Sequence, residues 1–251
     1  MFGDDILILA PHPDDEVVGC CAAIGRARAR QCRVRVAFLT TGVPPRDSMW
    51  RWQRGSAYER RLRRRHAESC AVASELGVDV CHRSEVPSRE LRHHIAQTAR
   101  TVCALLEEVQ SPTLWVPAYE GGHQDHDVAN FIGSLFVVKS QVWEFSEYNF
   151  RGGRTRSHAF PIDDGHERAI FLSATEAERK ARLLALYESE RGNLGHIGTR
   201  REIFRPLPEY DYSRPPHAGR LFYQRFQWAR WHPRVDSTRP EDVREAMRAS
   251  T

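Results

Sequence analysis

The feature that most constrains this chain is a short apolar run, Ile6-Leu7-Ile8-Leu9, followed at once by Ala10-Pro11-His12-Pro13-Asp14-Asp15-Glu16. Four consecutive apolar residues read as a strand buried on both faces. The next segment, Asp14 to Arg30, reads as a helix. A strand that delivers a histidine and adjacent carboxylates to a helix start places costly polar groups at the edge of a core. A metal ion is the leading reason to keep them there.

The strand-then-helix alternation continues. Arg33 to Thr41 alternates Val34, Val36 and Phe38 and stops at Thr-Thr-Gly, a second strand. Ala57 to Leu76 is helical and ends at Gly77. Val78 to His82 is a short strand. Leu91, Ile95, Ala99, Val102, Leu106 and Val109 recur at helical spacing, which predicts an amphipathic helix over Glu90 to Gln110. Leu114 to Pro117 is another buried strand, leading into a loop with His123-Gln124-Asp125-His126-Asp127. Gln141 to Phe150 and Ala169 to Leu172 read as strands, and Thr175 to Glu188 as a helix.

Such alternation implies βαβ units and an α/β, Rossmann-like three-layer fold with a mainly parallel sheet. Sites in these sheets form beyond the carboxyl ends of the strands, where both polar clusters fall. No repeat or low-complexity linker divides the 251 residues. The reading is therefore a single domain, 1–251, with 206–251 as a C-terminal extension packed on it.

Composition narrows the function classes. A net charge of +4, from 37 basic and 33 acidic residues, is too small an excess to argue for nucleic acid. No window approaches the roughly 18 apolar residues of a membrane span, and the N-terminus lacks a signal pattern. The six cysteines form no CxxC pair and sit among apolar neighbours, so buried free thiols and a cytoplasmic setting are expected.

His12 and Asp15 stand three apart across a strand-to-helix turn and can converge on one point. With His126 they make a two-His-one-Asp set that leaves one position for water, as catalytic zinc sites do. Asp14, beside the ligand Asp15, is placed to accept a proton from that water. His123 can stabilise an oxyanion and protonate a leaving nitrogen, with Asp125 as its hydrogen-bond partner. The plainer readings are that Asp14 caps a helix and that His-x-Asp-His is incidental.

Arg60, Arg61, Arg63, Arg64 and Arg65 crowd one helix, whose plain reading is a solvated face. Trp50 and Trp52 either stack on a sugar or pack in the core. Arg151-Gly152-Gly153-Arg154 reads as a surface turn. Arg220 to Arg234 interleaves arginine with aromatics, which suits either base stacking or a terminal segment packed over the core.

The Ala-Pro-His-Pro-Asp-Asp-Glu run and Gly122-His123-Gln124-Asp125-His126 together resemble the paired signature of the LmbE-like, or PIG-L, zinc-dependent de-N-acetylases. Weaker similarities are Arg65-His66-Ala67-Glu68 before Leu76-Gly77, and Lys180 to Ser189, where Glu190 replaces the usual Gln. The similarity spans roughly residues 5 to 192. It implies a Rossmann-like fold and hydrolysis of an N-acetyl group on an amino sugar or N-acetylglucosamine conjugate. It also implies zinc on His12, Asp15 and His126, with Asp14 as base, His123 as oxyanion-stabilising acid and Asp125 as its partner. The same ligands serve iron(II). Mycothiol-type members carry a tyrosine where this chain has Gly121, and Tyr119 lies two residues upstream. Arg65, Trp50, Trp52 and Tyr119 are the candidate substrate contacts.

The expected partner is a small-molecule amino-sugar substrate, with self-association left open. Another amide, such as an acylated antibiotic intermediate, would suit the same metal site. A nucleotide- or RNA-binding module is the competing reading. It lacks a Gly-rich phosphate loop after the first strand, where the acids would repel phosphate.

Overall fold

The computed structural model describes residues 1–109, 112–229, 231–233 and 235–250. Five parallel strands form most of one sheet: β1 (Asp5–Ala10), β2 (Arg33–Phe38), β3 (Asp79–Arg83), β4 (Thr113–Pro117) and β5 (Gln141–Phe145). β6 (Tyr148–Asn149) and β7 (Arg156–Ser157) pair as a separate ribbon, and β8 (Arg168–Phe171) and β9 (Arg201–Pro206) complete the main sheet as antiparallel strands. The order is β3-β2-β1-β4-β5-β9-β8. From β1 the chain builds outward through β2 and β3, then returns to the other side with β4. The crevice between the ends of β1 and β4 is the switch point where sites form in such sheets.

Helices α1 (Asp15–Ala29), α2 (Ser56–Leu76), α3 (Ile95–Glu107), α4 (Gln124–Ser134), α5 (Ala174–Leu186) and α6 (Pro240–Arg248) cover the sheet. The two-residue period of β1 sorts the layers. Ile6 and Ile8 share a core with Val17 and Ile24 of α1, Val72 of α2 and Leu183 of α5. Leu7 and Leu9 face the other way, into a core with Val102 of α3, Val128 of α4 and Val243 and Met247 of α6. All six residues of β1 are buried, as its unbroken apolar run requires.

Several expectations are revised. The helix predicted over Glu90 to Gln110 is a 3₁₀ turn, Leu91–His93, followed by α3; His94 between them departs from helical geometry, with φ −123° and ψ 16°, and Gln110 lies outside the described residues. The strand predicted over Gln141 to Phe150 is two short strands, β5 and β6. The loop expected to hold His126 is the first turn of α4. All six cysteines are free, but only Cys20 and Cys21 are buried. Among the described residues no helix is long and apolar enough to cross a membrane.

Candidate metal centre

His12 leaves the end of β1, Asp15 opens α1, and His126 lies in the first turn of α4, across the switch point. Their donor atoms converge. His12 Nδ1 is 3.4 Å from Asp15 Oδ2 and 3.3 Å from His126 Nε2, which is 3.4 Å from Asp15 Oδ1. Nitrogen and oxygen ligands held about 2.0–2.1 Å from a tetrahedral ion lie roughly 3.4 Å from one another. The three atoms are thus spaced as ligands are, and all three residues are under 9% exposed. His123 also has a ring nitrogen near those of His12 and His126. Its Nδ1, however, accepts the Asp125 backbone N–H at 3.1 Å and caps α4.

Asp14 stands at the N-cap position of α1, yet its side chain makes no capping bond. It pairs instead with Arg65 Nη2 at 2.9 Å, which removes the helix-cap reading. Its φ of 145° is a strained conformation for a side-chain-bearing residue, of the kind that concentrates at functional sites. Burial pushes the Asp14 carboxyl up to about 7, against the pull of Arg65. Arg65 comes from α2 and is 2% exposed, whereas Arg60, Arg61, Arg63 and Arg64 are exposed. Gly42 permits this approach: a Cβ there would lie 2.8 Å from both Arg65 Nε and Pro13 Cδ.

Asp125 takes a different place from the one expected. Its Oδ2 lies 2.9 Å from His12 Nε2 and 3.7 Å from His123 Nδ1, and it also accepts the Arg89 N–H at 2.6 Å. The carboxylate therefore serves His12, on the nitrogen facing away from the converging donors. A carboxylate there fixes the tautomer of a ligating imidazole. Burial, with His12 next, holds the His123 imidazole well below its ordinary value; with Nδ1 accepting the Asp125 N–H, Nε2 is the nitrogen left to carry a proton.

A cavity of about 760 Å³ opens over these groups. Arg65, Trp50, His123 and Tyr148 line it. Trp52 does not: it stacks on the outer side of Trp50, with ring centroids 5.3 Å apart, and is 74% exposed. Tyr119 is a correction. Its hydroxyl donates to the Arg214 carbonyl and its ring packs on Tyr210 and Tyr212, away from the cavity. Tyr148 and Tyr223 are the tyrosines that line the cavity, and Tyr148 lies against the ring of His126. A Cβ on Gly122 would lie 2.4 Å from the Tyr148 carbonyl, so glycine lets the two loops close.

The C-terminal aromatics Phe222, Phe226 and Trp228 also line the cavity. Of the Arg220 to Arg234 segment, Arg230 and Arg234 lie outside the described residues. Arg151–Gly153 forms an exposed 3₁₀ turn. Tyr148 and its neighbour Glu147 were not singled out from the sequence. The signal was there: two acids, Glu144 and Glu147, inside the aromatic run Trp143 to Tyr148.

Residues 7–137 match the PIG-L family, GlcNAc-PI de-N-acetylase. The chain belongs to that family. Among solved structures it is similar to a zinc-inhibited teicoplanin deacetylase (16% identity, TM-score 0.60, covering 82% of this chain and 99% of that one). A deacetylase of the teicoplanin pathway in its bog complex is similar at 17% identity and TM-score 0.63, over 82% and 99% of the two chains. The A40926 pseudoaglycone deacetylase follows at 16% and 0.60, over 81% and 96%. At such identities these structures share the α/β fold with its mostly parallel sheet. No curated protein matches the chain by sequence.

Proposed function

We propose that this chain is a zinc-dependent hydrolase that removes the N-acetyl group of an amino sugar or an amino-sugar conjugate. The observation that carries the reading is the 3.3–3.4 Å spacing of His12 Nδ1, Asp15 and His126 Nε2, buried at the switch point of a PIG-L family fold. Borderline zinc accepts this donor set, and iron(II) is served by it too. When bound, the metal supplies a Lewis acid for the amide carbonyl and a water of lowered pKa.

The remaining roles belong to side chains. Asp14, held by Arg65, takes the proton from the attacking water. His123 lines the cavity with Nε2–H as its free donor and stabilises the negative charge that grows on the carbonyl oxygen. After gaining a proton it delivers it to the departing amine. Asp125 orients His12 rather than His123.

The cavity volume and its aromatic wall, Trp50 with Trp228 and Phe226, exceed what an acetylated hexose alone requires. We infer a conjugate with an apolar aglycone. A teicoplanin deacetylase and the A40926 pseudoaglycone deacetylase share this fold, which supports the inference. We also infer a cytoplasmic enzyme, since its six thiols are free.

A zinc titration of the wild type and His126→Ala tests the centre. One zinc per wild-type chain and weak binding by the variant are expected. Equal binding by both would refute the ligand assignment.

A further inference from the structure

Beside the converging donors, two buried polar groups lack a hydrogen bond among the described residues: His126 Nδ1 and both carboxylate oxygens of Glu147. They face each other, with Glu147 Oε2 3.7 Å from His126 Nδ1. The two side chains are 0% and 1% exposed, so water does not satisfy them from bulk. Buried polar atoms without partners are rare and call for a reason. Glu147 is not there by slack in the chain. Its N–H donates to Glu120 Oε1 at 2.7 Å, and its carbonyl accepts the His158 N–H at 2.9 Å.

We propose that Glu147 is a positioning residue for His126: it accepts the Nδ1–H and so leaves the Nε2 lone pair free for the metal. This rests on the metal-centre reading above. An imidazole that ligates through Nε2 must carry its proton on Nδ1, and that proton needs an acceptor. A slight rotation of either side chain closes 3.7 Å to a hydrogen bond. The arrangement parallels the one on His12, whose Nδ1 faces the donors while Asp125 sits 2.9 Å from its Nε2. Each imidazole has one nitrogen among the ligand atoms and a separate carboxylate on the other. Glu147 approaches His126 at Nδ1, the nitrogen that is not among the three converging donor atoms, although its carboxylate also lies within 4.8 Å of ligand atoms of Asp15 and His126. It also lies outside residues 7–137, the part that matches the family.

The experiment measures zinc affinity by competition with a chromogenic chelator for the wild type, Glu147→Gln and Glu147→Leu, together with the ring ¹⁵N and N–H resonances of His126 in the zinc-loaded proteins. The leucine variant is expected to bind zinc 10–100-fold more weakly. The glutamine variant, whose carbonyl still accepts, is expected to stay within about threefold, with its Nδ1–H resonance moved upfield by the loss of a charged acceptor. Unchanged zinc affinity in a folded leucine variant would overturn the proposal. If that variant does not fold, an unshifted Nδ1–H resonance in Glu147→Gln would overturn it instead. A wild type that binds no zinc would sink the metal-centre reading along with it. A wild type that binds zinc no better than Glu147→Leu would sink only the role of Glu147.

Discussion

Replacing Asp14 with asparagine separates chemistry from metal binding. Asparagine suits the test because it keeps the shape of the aspartate side chain at a position whose φ of 145° is already strained, and removes only its charge. The three converging donor atoms belong to other residues, so zinc should remain at one per chain. Arg65 loses the charge of its 2.9 Å partner but keeps Glu190 at 3.4 Å and Ser189 Oγ at 3.3 Å, with the ring of Tyr187 below it. It is therefore not orphaned. The stability cost is that of one hydrogen bond to a charged group, about 1.5–3 kcal/mol, not the roughly 3–5 kcal/mol of an unpaired buried charge. Turnover is another matter. A positioned general base contributes about 10²–10⁴ in rate, which is about 2.7–5.4 kcal/mol of barrier. The assay is steady-state acetate release, with zinc content and urea unfolding measured on the same preparation. A zinc-replete variant within tenfold of wild-type turnover would refute the base assignment, and loss of zinc would refute the separation of roles.

Three further outcomes are expected. Lys180 and Glu202 form an ion pair at 3.0 Å with both side chains 0% exposed, so Lys180→Met leaves a buried carboxylate. It should cost about 3–5 kcal/mol in urea unfolding, and a loss below about 1 kcal/mol would contradict that. Burial, and then the charge of Lys180, lowers His158 to about 3 from an unfolded value of 6.5. The unfolded chain then binds a proton that the folded chain refuses, and stability falls as pH drops below 6.5, by about 1.4 kcal/mol per unit. In urea unfolding at pH 7 and pH 5, wild type should lose more stability on acidification than His158→Gln by about this slope, since the other titrating groups are common to both; an equal pH dependence in the two would refute the assignment to His158. Trp50→Ala should raise KM for an aryl N-acetylglucosaminide about 3–10-fold with kcat little changed, the worth of one aromatic contact. An equal effect from Trp52→Ala would contradict the placement of Trp52 outside the cavity.

Much of the architecture was legible because burial and period agree. The unbroken apolar β1 and the Gly77 stop of α2 need no tertiary information. The convergence of His12, Asp15 and His126 was legible for the same reason, since each follows a readable strand. What failed depended on partners distant in sequence. The polar first turn of α4 hides its helical period, because Gln124, Asp125, His126 and Asp127 are all buried by contacts from elsewhere. The antiparallel β9 gains its place only by pairing with β5 and β8. Asp125 lies two residues from His123, and that proximity suggested a partnership. In the fold its carboxylate points back across the sheet to His12, 113 residues away. Tyr119 misled in the same way, near the motif in sequence but turned into an aromatic cluster under the C-terminal segment.

The most direct test of the central claim is acetate release from an aryl N-acetylglucosaminide by purified protein, before and after chelator treatment and again after adding back zinc. The account predicts release that chelation abolishes and zinc restores. Release that survives complete removal of metal would contradict it, as would a zinc-loaded protein inert toward every N-acetyl amino sugar offered.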